Sequence, residues 1–234
     1  MNAMGCDSTL RLLRAERARL NGLKHVGVLV PWANTIVETE LPRLAADRLV
    51  FHYARLVPAG RSTALDETFL DGLRGAVPDA LSSLSRIQLA GALLACTSAG
   101  FTAEDSTAGT TSAFAAILQA LQRLKVRRIA LAAPYPHATA VTEAAAFASA
   151  GITVTGLASL GQADDYDQIA AGTSRALIDR LSATELADAS ALVLSCTNWP
   201  TLDLVADLEF TLGMPVISSN LALAITACTI GDQP

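Results

Sequence analysis

Two short segments of this 234-residue chain place a cysteine in nearly the same surroundings. The segment Leu93-Leu94-Ala95-Cys96-Thr97-Ser98 is matched by Val193-Leu194-Ser195-Cys196-Thr197-Asn198. In each, an apolar run typical of a buried parallel strand leads into the cysteine. Open α/β sheets bind ligands at the carboxyl ends of their strands, so both thiols are expected at such a site. A pair of thiols there could carry out nucleophilic or acid–base chemistry.

The residues after each cysteine are small and uncharged. They could start a helix, whose N-terminus lowers the pKa of a thiol by stabilising its anion. Ordinary helix capping explains them as well as binding of carboxylate oxygens does. No Lys or Arg occurs between Arg86 and Arg123 or after Arg180, so a bound anion is expected to meet neutral donors. The candidate substrate-binding residues in these turns are Thr97, Ser98, Thr197 and Asn198.

Two further turns carry polar groups at corresponding points of the chain. One is Pro31-Trp32-Ala33-Asn34-Thr35 and the other is Pro134-Tyr135-Pro136-His137. Asn34 can donate and accept hydrogen bonds without charge, although Asn34 and Thr35 could simply cap a helix. Tyr135 could orient a carboxylate or supply a proton, or it could be a packing residue.

The elements that position these turns alternate between strands and helices. This alternation predicts an α/β fold in which helices flank parallel sheets. A short amphipathic helix is expected near residues 8–20. The strands are predicted at 25–30, 49–56, 91–95, 128–133, 153–158, 191–195 and 215–218.

The chain also repeats itself, because Gly27-Val28-Leu29-Val30-Pro31 is answered by Ile129-Ala130-Leu131-Ala132-Ala133-Pro134. The repeat predicts two similar lobes, with both thiols in one crevice if the lobes face each other. We expect the last strand and helix to return to the first lobe or to cap the cleft. The predicted divisions are a helical extension at 1–23, a first lobe at 24–125, a second lobe at 126–214 and the C-terminal strand and helix at 215–234.

Composition narrows the class of ligand. With 51% hydrophobic and 17% charged residues, the chain is long enough for substantial cores. A net charge of -5 without a Lys/Arg cluster argues against nucleic acid or an acidic membrane surface as partner. Without a continuous apolar signal core or an 18-residue apolar stretch, a cytoplasmic location is expected. A homodimer is left open.

Taken together, the turns resemble the Asp/Glu racemase superfamily, in particular its maleate cis-trans isomerase and arylmalonate decarboxylase branch. The similarity runs over nearly the whole chain from residue 24. Its most specific segments are Val30-Pro31-Trp32-Ala33-Asn34-Thr35 with Glu38 and Glu40, the two cysteine turns, Pro134-Tyr135, and Gly213-Met214-Pro215-Val216-Ile217-Ser218-Ser219-Asn220.

This resemblance implies two pseudosymmetric Rossmann-like lobes, an active site between them, no cofactor and a small carboxylate or dicarboxylate substrate. By matching position, it implies that Cys96 and Cys196 are catalytic and that Asn34 and Tyr135 hold or polarise the substrate. Decarboxylases of the branch have glycine at the first cysteine position, so Cys96 favours isomerase or racemase chemistry. Asp165 stands where maleate isomerases have a substrate-binding Asn. Its carboxylate would repel a dianion unless it were protonated or turned away.

The leading hypothesis is a cofactor-independent isomerase, with conversion of maleate to fumarate as the first reaction to consider. Cys96 as thiolate would add to the alkene and later leave, while Cys196 would handle a proton. In a racemase, the two thiols would instead work on opposite faces of an α-carbon. The alternatives are a decarboxylase that uses Cys196 as proton donor and a non-catalytic carboxylate-binding protein.

Cofactor chemistry has little support in the residues. The lysines, Lys24 and Lys125, both precede predicted strands and so lie far from the strands' carboxyl ends, which disfavours a pyridoxal Schiff base. The chain has neither a Walker A loop nor a GxGxxG turn. Its histidines lack metal-ligand spacing, so neither a metal nor an organic cofactor is expected.

Overall fold

The computed structural model describes residues 8–45, 47–58, 66–101 and 109–231. Within these ranges the chain alternates between strands and helices, beginning with a helix. The strands are β1 (Lys24–Pro31), β2 (Leu49–Leu56), β3 (Gly91–Leu94), β4 (Thr110–Ser112), β5 (Arg128–Ala133), β6 (Thr153–Ser159), β7 (Ala191–Leu194) and β8 (Val216–Ser218). The helices are α1 (Ser8–Arg19), α2 (Val37–Ala45), α3 (Glu67–Ser83), α4 (Ala113–Arg123), α5 (His137–Ser149), α6 (Ala171–Ile178), α7 (Ala183–Ala187), α8 (Leu202–Leu212) and α9 (Ser219–Gly231).

The strands form two separate parallel sheets with the same topology. The first sheet has the order β2-β1-β3-β4 and the second has the order β6-β5-β7-β8. Each central strand is buried along most of its length, because helices cover both faces of its sheet. Continuous apolar runs in the sequence are the expected signature of such strands. The predicted α/β class with two pseudosymmetric lobes is therefore confirmed.

The position of the ligand cleft follows from the strand order. In both sheets the second strand in chain order lies on one side of the first, and the third lies on the other side. The chain therefore reverses its direction across the sheet between β1 and β3, and again between β5 and β7. Ligands of open α/β sheets bind beyond the carboxyl ends of strands at these reversal points. Both cysteine turns and both proline turns start there.

The C-terminal segment divides between the lobes, which differs from our expectation. β8 pairs with β7 in the second sheet, where it takes the place that β4 has beside β3 in the first. Its strand therefore does not return to the first lobe. The helix α9 does, since it packs against α1, α2 and α4. The predicted boundaries between extension and lobes remain predictions.

The core is largest where the lobes join. One hydrophobic cluster runs from α1 and β1 through α4 to β5, β7 and α9, and a smaller one lies between the first sheet and α3. Most of α9 is buried, which explains why this helix is apolar on every side. At the other end of the chain, Thr9 N–H donates to the buried Glu209 carboxylate at 3.1 Å, which fixes α1 against α8. Among the described helices, none is both long enough and apolar enough to cross a membrane.

Candidate active site

A cavity lies at the meeting point of the two lobes, and both predicted thiols line it. Its volume is about 70 Å³, several times the ~10–15 Å³ needed for one water molecule, so it suits a compact ligand. The described lining residues are Pro31, Ala33, Asn34, Phe69, Cys96, Thr97, Ser98, Tyr135, Asp164, Tyr166, Cys196, Thr197 and Asn198. The turns identified in the sequence thus come from both lobes to one shared space.

The Cys96 turn follows β3, and a backbone hydrogen bond to the neighbouring strand β1 fixes its start. Ala95 N–H donates to the Leu29 carbonyl at 2.8 Å, which continues the strand pairing to the residue before the thiol. Cys96 Sγ lies 3.4 Å from the Ser98 hydroxyl oxygen. The chain then forms a single 3₁₀ turn, Ser98–Gly100, rather than the α-helix start that we expected.

The Cys196 turn leaves β7 in the same way, since Ser195 N–H donates to the Ala132 carbonyl at 2.9 Å. Cys196 N–H donates to the hydroxyl of Ser219, at the start of α9, at 3.1 Å. The following helix begins only at Leu202, so the thiol does not lie at its N-terminus. Our expectation of a helix-activated thiol was therefore wrong at this position.

Burial, rather than a helix dipole, dominates the acidity of Cys196. It raises the pKa of the thiol to about 12, and negative charge on Cys96 and Glu143 acts in the same direction. Two donors oppose this effect, the backbone N–H of Asn198 and the hydroxyl of Tyr135. At neutral pH Cys196 is accordingly a protonated thiol, with groups in place that can stabilise its anion for a short time.

Asn34 both caps a helix and joins the lobes. Its side-chain oxygen accepts from the N–H groups of Ile36 and Val37, at 3.0 and 3.1 Å. Its side-chain nitrogen donates to the Thr197 hydroxyl at 3.1 Å, and this hydroxyl donates to the Ala95 carbonyl at 2.8 Å. The two functions that the sequence left open, capping and lining the site, are therefore combined in one buried residue.

A buried carboxylate on α2 continues this connection between the lobes. Glu40 accepts from the N–H groups of Thr201 and Leu202, at 3.0 and 2.9 Å, where α8 begins. Its other oxygen accepts from the Asn220 side chain at 2.7 Å, and the same amide nitrogen donates to the Thr197 carbonyl at 3.1 Å. Burial raises the pKa of Glu40, whereas these donors lower it. Glu40 thus supports the Cys196 turn from the opposite lobe.

Two predicted site residues lie outside the cavity lining. Thr35 is exposed and connects the two lobes by hydrogen bonds. Its N–H donates to the side-chain oxygen of Asn198 at 3.0 Å, and its hydroxyl donates to the carboxylate of Asp167 at 2.9 Å. Asp165 is exposed and has a left-handed backbone with a φ of 55°. The neighbouring Asp164 lines the cavity instead. The expected repulsion of a dianion therefore concerns Asp164, not Asp165.

Tyr135 lines the cavity, as expected of a substrate-binding residue, and also contacts the second thiol. It is buried, and desolvation raises the pKa of its hydroxyl well above the ordinary value, so it remains a donor. Its ring meets the ring of Tyr166 edge to face, with centroids 5.7 Å apart. Tyr166 was missed in the sequence analysis, as was Phe69, which lines the cavity from α3. Neither belongs to a repeated motif, so no signal pointed to them.

Neutral donors make up most of the polar lining of the cavity, and Asp164 is the acidic residue among its described lining residues. None of its described lining residues is Lys, Arg or His. Arg55 lies behind the lining, where its guanidinium donates to the carbonyls of Pro31 and Asn34 and pairs with Glu38. A carboxylate in this cavity would therefore meet hydroxyl, amide and backbone N–H groups, with both thiols in the same lining.

Comparison with known proteins shows which family this chain is similar to. The family model described as arylmalonate decarboxylase matches residues 99–232. The maleate isomerase of Nocardia farcinica (strain IFM 10152) is 25% identical over 232 residues, which cover 91% of this chain and 92% of that protein. The arylmalonate decarboxylase of Bordetella bronchiseptica is 36% identical over 114 residues, which cover 48% of this chain and 47% of that protein.

A solved structure extends the similarity to the fold. A cysteine-to-serine mutant of the Nocardia farcinica maleate cis-trans isomerase, with a covalently bound succinylcysteine intermediate, matches with a TM-score of 0.79. The match has 24% sequence identity and covers 91% of this chain and 94% of that chain. With its two-lobed fold, its paired cysteine turns and these matches, the chain belongs to the arylmalonate decarboxylase family, in the branch of the Asp/Glu racemase superfamily that includes maleate isomerases.

Proposed function

We propose that this protein is a cofactor-independent cis-trans isomerase of a small unsaturated dicarboxylate, with maleate as the first substrate to test. The observation that carries the proposal is that Cys96 and Cys196 line one small cavity from two different lobes. A small volume and neutral donors suit a compact carboxylate. Similarity to a maleate isomerase over 91% of the chain favours this substrate class.

The proposed reaction begins with Cys96. Its thiolate adds to one alkene carbon, so a carbon–sulfur bond forms while the π electrons move toward the carboxylate on the neighbouring carbon. Donors in the two cysteine turns stabilise the resulting enolate. The former double bond is now single and can rotate. A covalent route has support in the Nocardia farcinica isomerase, whose mutant structure holds a succinylcysteine intermediate.

The second thiol handles the proton. Cys196 is protonated at neutral pH, so it can donate its proton to the enolate carbon and become a thiolate beside Tyr135 and Asn198. After rotation it takes the proton back, the electron pair re-forms the double bond, and the Cys96 thiolate leaves. No atom or electron is gained or lost overall, and the product is the trans isomer.

Proton NMR in deuterated water tests the reaction type. Maleate, aspartate, glutamate and an arylmalonate are each supplied to the purified protein. Conversion of the maleate vinyl signal to that of fumarate supports the proposal. Exchange of the α-proton of an amino acid would instead show a racemase. Binding of maleate, seen as thermal stabilisation, without any product would show a carboxylate-binding protein.

Decarboxylation is the second candidate, because the matching family model is that of arylmalonate decarboxylase and a decarboxylase is 36% identical over 114 residues. Matched variants separate the two reactions. Cys196→Ser should abolish either reaction, whereas Cys96→Ser should abolish isomerisation and largely preserve decarboxylation. Cys228→Ser serves as control, since this buried thiol on α9 does not line the cavity.

A covalent adduct gives a second test of the Cys96 assignment. Cys196→Ser keeps the nucleophile but lacks the thiol that would take the proton back, so an adduct protonated from solvent should accumulate and add the mass of one maleic acid to this variant. Peptide mapping should place the adduct on Cys96. An adduct on another cysteine, or none while binding persists, would contradict the assignment. A homodimer and a cytoplasmic location remain predictions from the sequence.

A further inference from the structure

Glu143 is a buried carboxyl group beside the Cys196 turn that the reaction described above does not use. It lies on α5 with no exposed surface. Its Oε1 accepts a hydrogen bond from the hydroxyl of Ser195, the residue that precedes Cys196. Within the described part of the chain, its Oε2 has no hydrogen-bond partner. The carboxyl group is therefore linked to the thiol through one side chain and one peptide unit.

The surroundings of Glu143 favour its neutral form. Burial raises the pKa of the carboxyl group to about 8, and the hydrogen bond from Ser195 opposes this rise only in part. The titratable groups that respond to its charge are Tyr135, two residues before α5, and Cys196, two residues after β7, since a charged Glu143 raises the pKa of both. Cys96, beyond β3, acts on Tyr135 and Cys196 in the same direction.

This carboxyl–hydroxyl pair is specific to the second thiol. The residue before Cys96 is Ala95, which has no hydroxyl to offer. Glu40 is the counterpart of Glu143 in the first lobe, since each glutamate lies nine residues after its turn proline. Glu40, however, binds N–H groups at the start of α8 and Asn220 instead. The pair therefore serves the thiol to which the proposed reaction assigns the proton.

We propose that Glu143 is a positioning residue for Cys196, which holds the thiol turn through Ser195 and stays neutral so that a thiolate can form beside it. This inference rests on the proposed function, in which Cys196 gives a proton and takes it back. An ionised Glu143 would place a second negative charge near the sulfur, on a side of the cavity where no described lining residue is cationic. A neutral carboxyl group provides the same hydrogen bond without this repulsion.

The test measures how readily Cys196 reacts as a function of pH, without substrate. The wild-type protein and Glu143→Gln are treated with iodoacetamide between about pH 6 and pH 9, and alkylation is followed by peptide mass spectrometry. A Glu-specific protease cleaves after Glu185 and Glu209, which separates the Cys196 peptide from those of Cys96 and Cys228. At about pH 6 both proteins should react at rates within about twofold, because Glu143 is then neutral in the wild type. Above about pH 8 the wild type should fall behind the variant by roughly threefold or more.

Ser195→Ala provides a second variant, because it gives the second lobe the residue that the first lobe has at Ala95. Loss of the hydroxyl removes the hydrogen bond that lowers the pKa of Glu143. Each protein is compared with its own Glu143→Gln derivative, and the pH at which its Cys196 begins to react more slowly than in that derivative is determined. This pH should be higher for Ser195→Ala than for the wild type. An unchanged pH would show that Ser195 does not link the two groups. Glu185→Gln is the control, since this partly exposed glutamate does not line the cavity and should leave the profile unaltered.

Parallel profiles for the wild type and Glu143→Gln would overturn the proposal, because a purely structural role changes the rate by the same factor at every pH. Loss of Cys196 reactivity in Glu143→Gln at about pH 6, with an unchanged circular dichroism spectrum, would overturn it as well. The alkylation profile needs no turnover. Failure to isomerise maleate would therefore count against the proposed function, and not against the effect of Glu143 on Cys196.

Discussion

Replacement of Glu143 by glutamine should make the protein more stable than the wild type, by an amount that grows as the pH rises. The carboxyl group is fully buried, and burial raises its pKa from the ordinary value of 4.5 to about 8. In the unfolded chain the same group ionises near its ordinary value. Between these two values the folded protein holds a proton that the unfolded chain has released, so the stability of the wild type falls with increasing pH.

The size of the effect follows from this difference. At pH 7, which is about 2.5 units above the ordinary pKa of 4.5, neutralising the group on folding costs about 3.5 kcal/mol at ~1.4 kcal/mol per unit. Glutamine does not titrate and lacks this cost. It can accept the same hydrogen bond from Ser195, and any effect of its buried amide nitrogen is the same at every pH. The pH-dependent part of the comparison thus isolates the buried carboxyl group.

Urea unfolding of the wild type and Glu143→Gln between about pH 5 and pH 8 measures this part. The variant should gain roughly 3 kcal/mol relative to the wild type over this interval. A difference that stays constant within about 0.5 kcal/mol would refute the reasoning, since it would mean that Glu143 ionises normally in the folded protein. Glu185→Gln is the matched control with the opposite sign. The pKa of Glu185 is lowered by Ser182, so any stability that it contributes is lost only as the pH falls into the acidic range.

Three further substitutions test other contacts of the site. Tyr135→Phe removes a donor to the Cys196 thiolate and should slow alkylation of that thiol roughly tenfold near neutral pH, as measured by peptide mass spectrometry; an unchanged rate would exclude the contact. Asn220→Ala leaves the buried Glu40 carboxylate without its side-chain donor and should lower the free energy of unfolding by about 2–3 kcal/mol in urea; a loss below about 0.5 kcal/mol would contradict this role. Phe69→Ala should destabilise the fold by about 3–4 kcal/mol and allow an arylmalonate to stabilise the variant thermally more than it stabilises the wild type, whereas equal thermal shifts would show that Phe69 does not limit the cavity.

Most strands could be predicted because buried strands have a clear pattern of apolar residues in the sequence. Central strands such as β5 are covered on both faces, so they appear as apolar runs without interruption. The strand β4 (Thr110–Ser112) was missed, because three polar residues carry no such pattern. The pairing of β8 with β7 was also not foreseen. Recognising it requires β4 and its position beside β3, which only the folded chain shows.

The site could be predicted as far as the repeated turns reach. The cysteines, Asn34 and Tyr135 follow strand ends, so the topology alone brings them together. Glu143 and Phe69 lie on helices, and the contact of Glu143 with Ser195 and of Phe69 with the cavity depends on side-chain packing that leaves no periodic signal. The expected acidic thiol failed at Cys196 for a related reason, since the length of the turn before α8 decides whether a helix N-terminus faces the sulfur.

The two thiols occupy equivalent positions of a repeated fold, but the groups around them are not equivalent. The two glutamates at corresponding positions of the lobes both act on the Cys196 side, Glu143 through Ser195 and Glu40 through Asn220 and the Thr197 carbonyl. The Cys96 turn has Ala95 where the other has Ser195, so the matching hydrogen bond cannot form there. If the two thiols acted as equivalent bases, we would expect similar groups around Cys96 and Cys196. A reaction in which one thiol bonds to carbon while the other exchanges a proton needs unequal surroundings. Only the proton-exchanging thiol, Cys196, must change between thiol and thiolate beside the carboxyl group of Glu143.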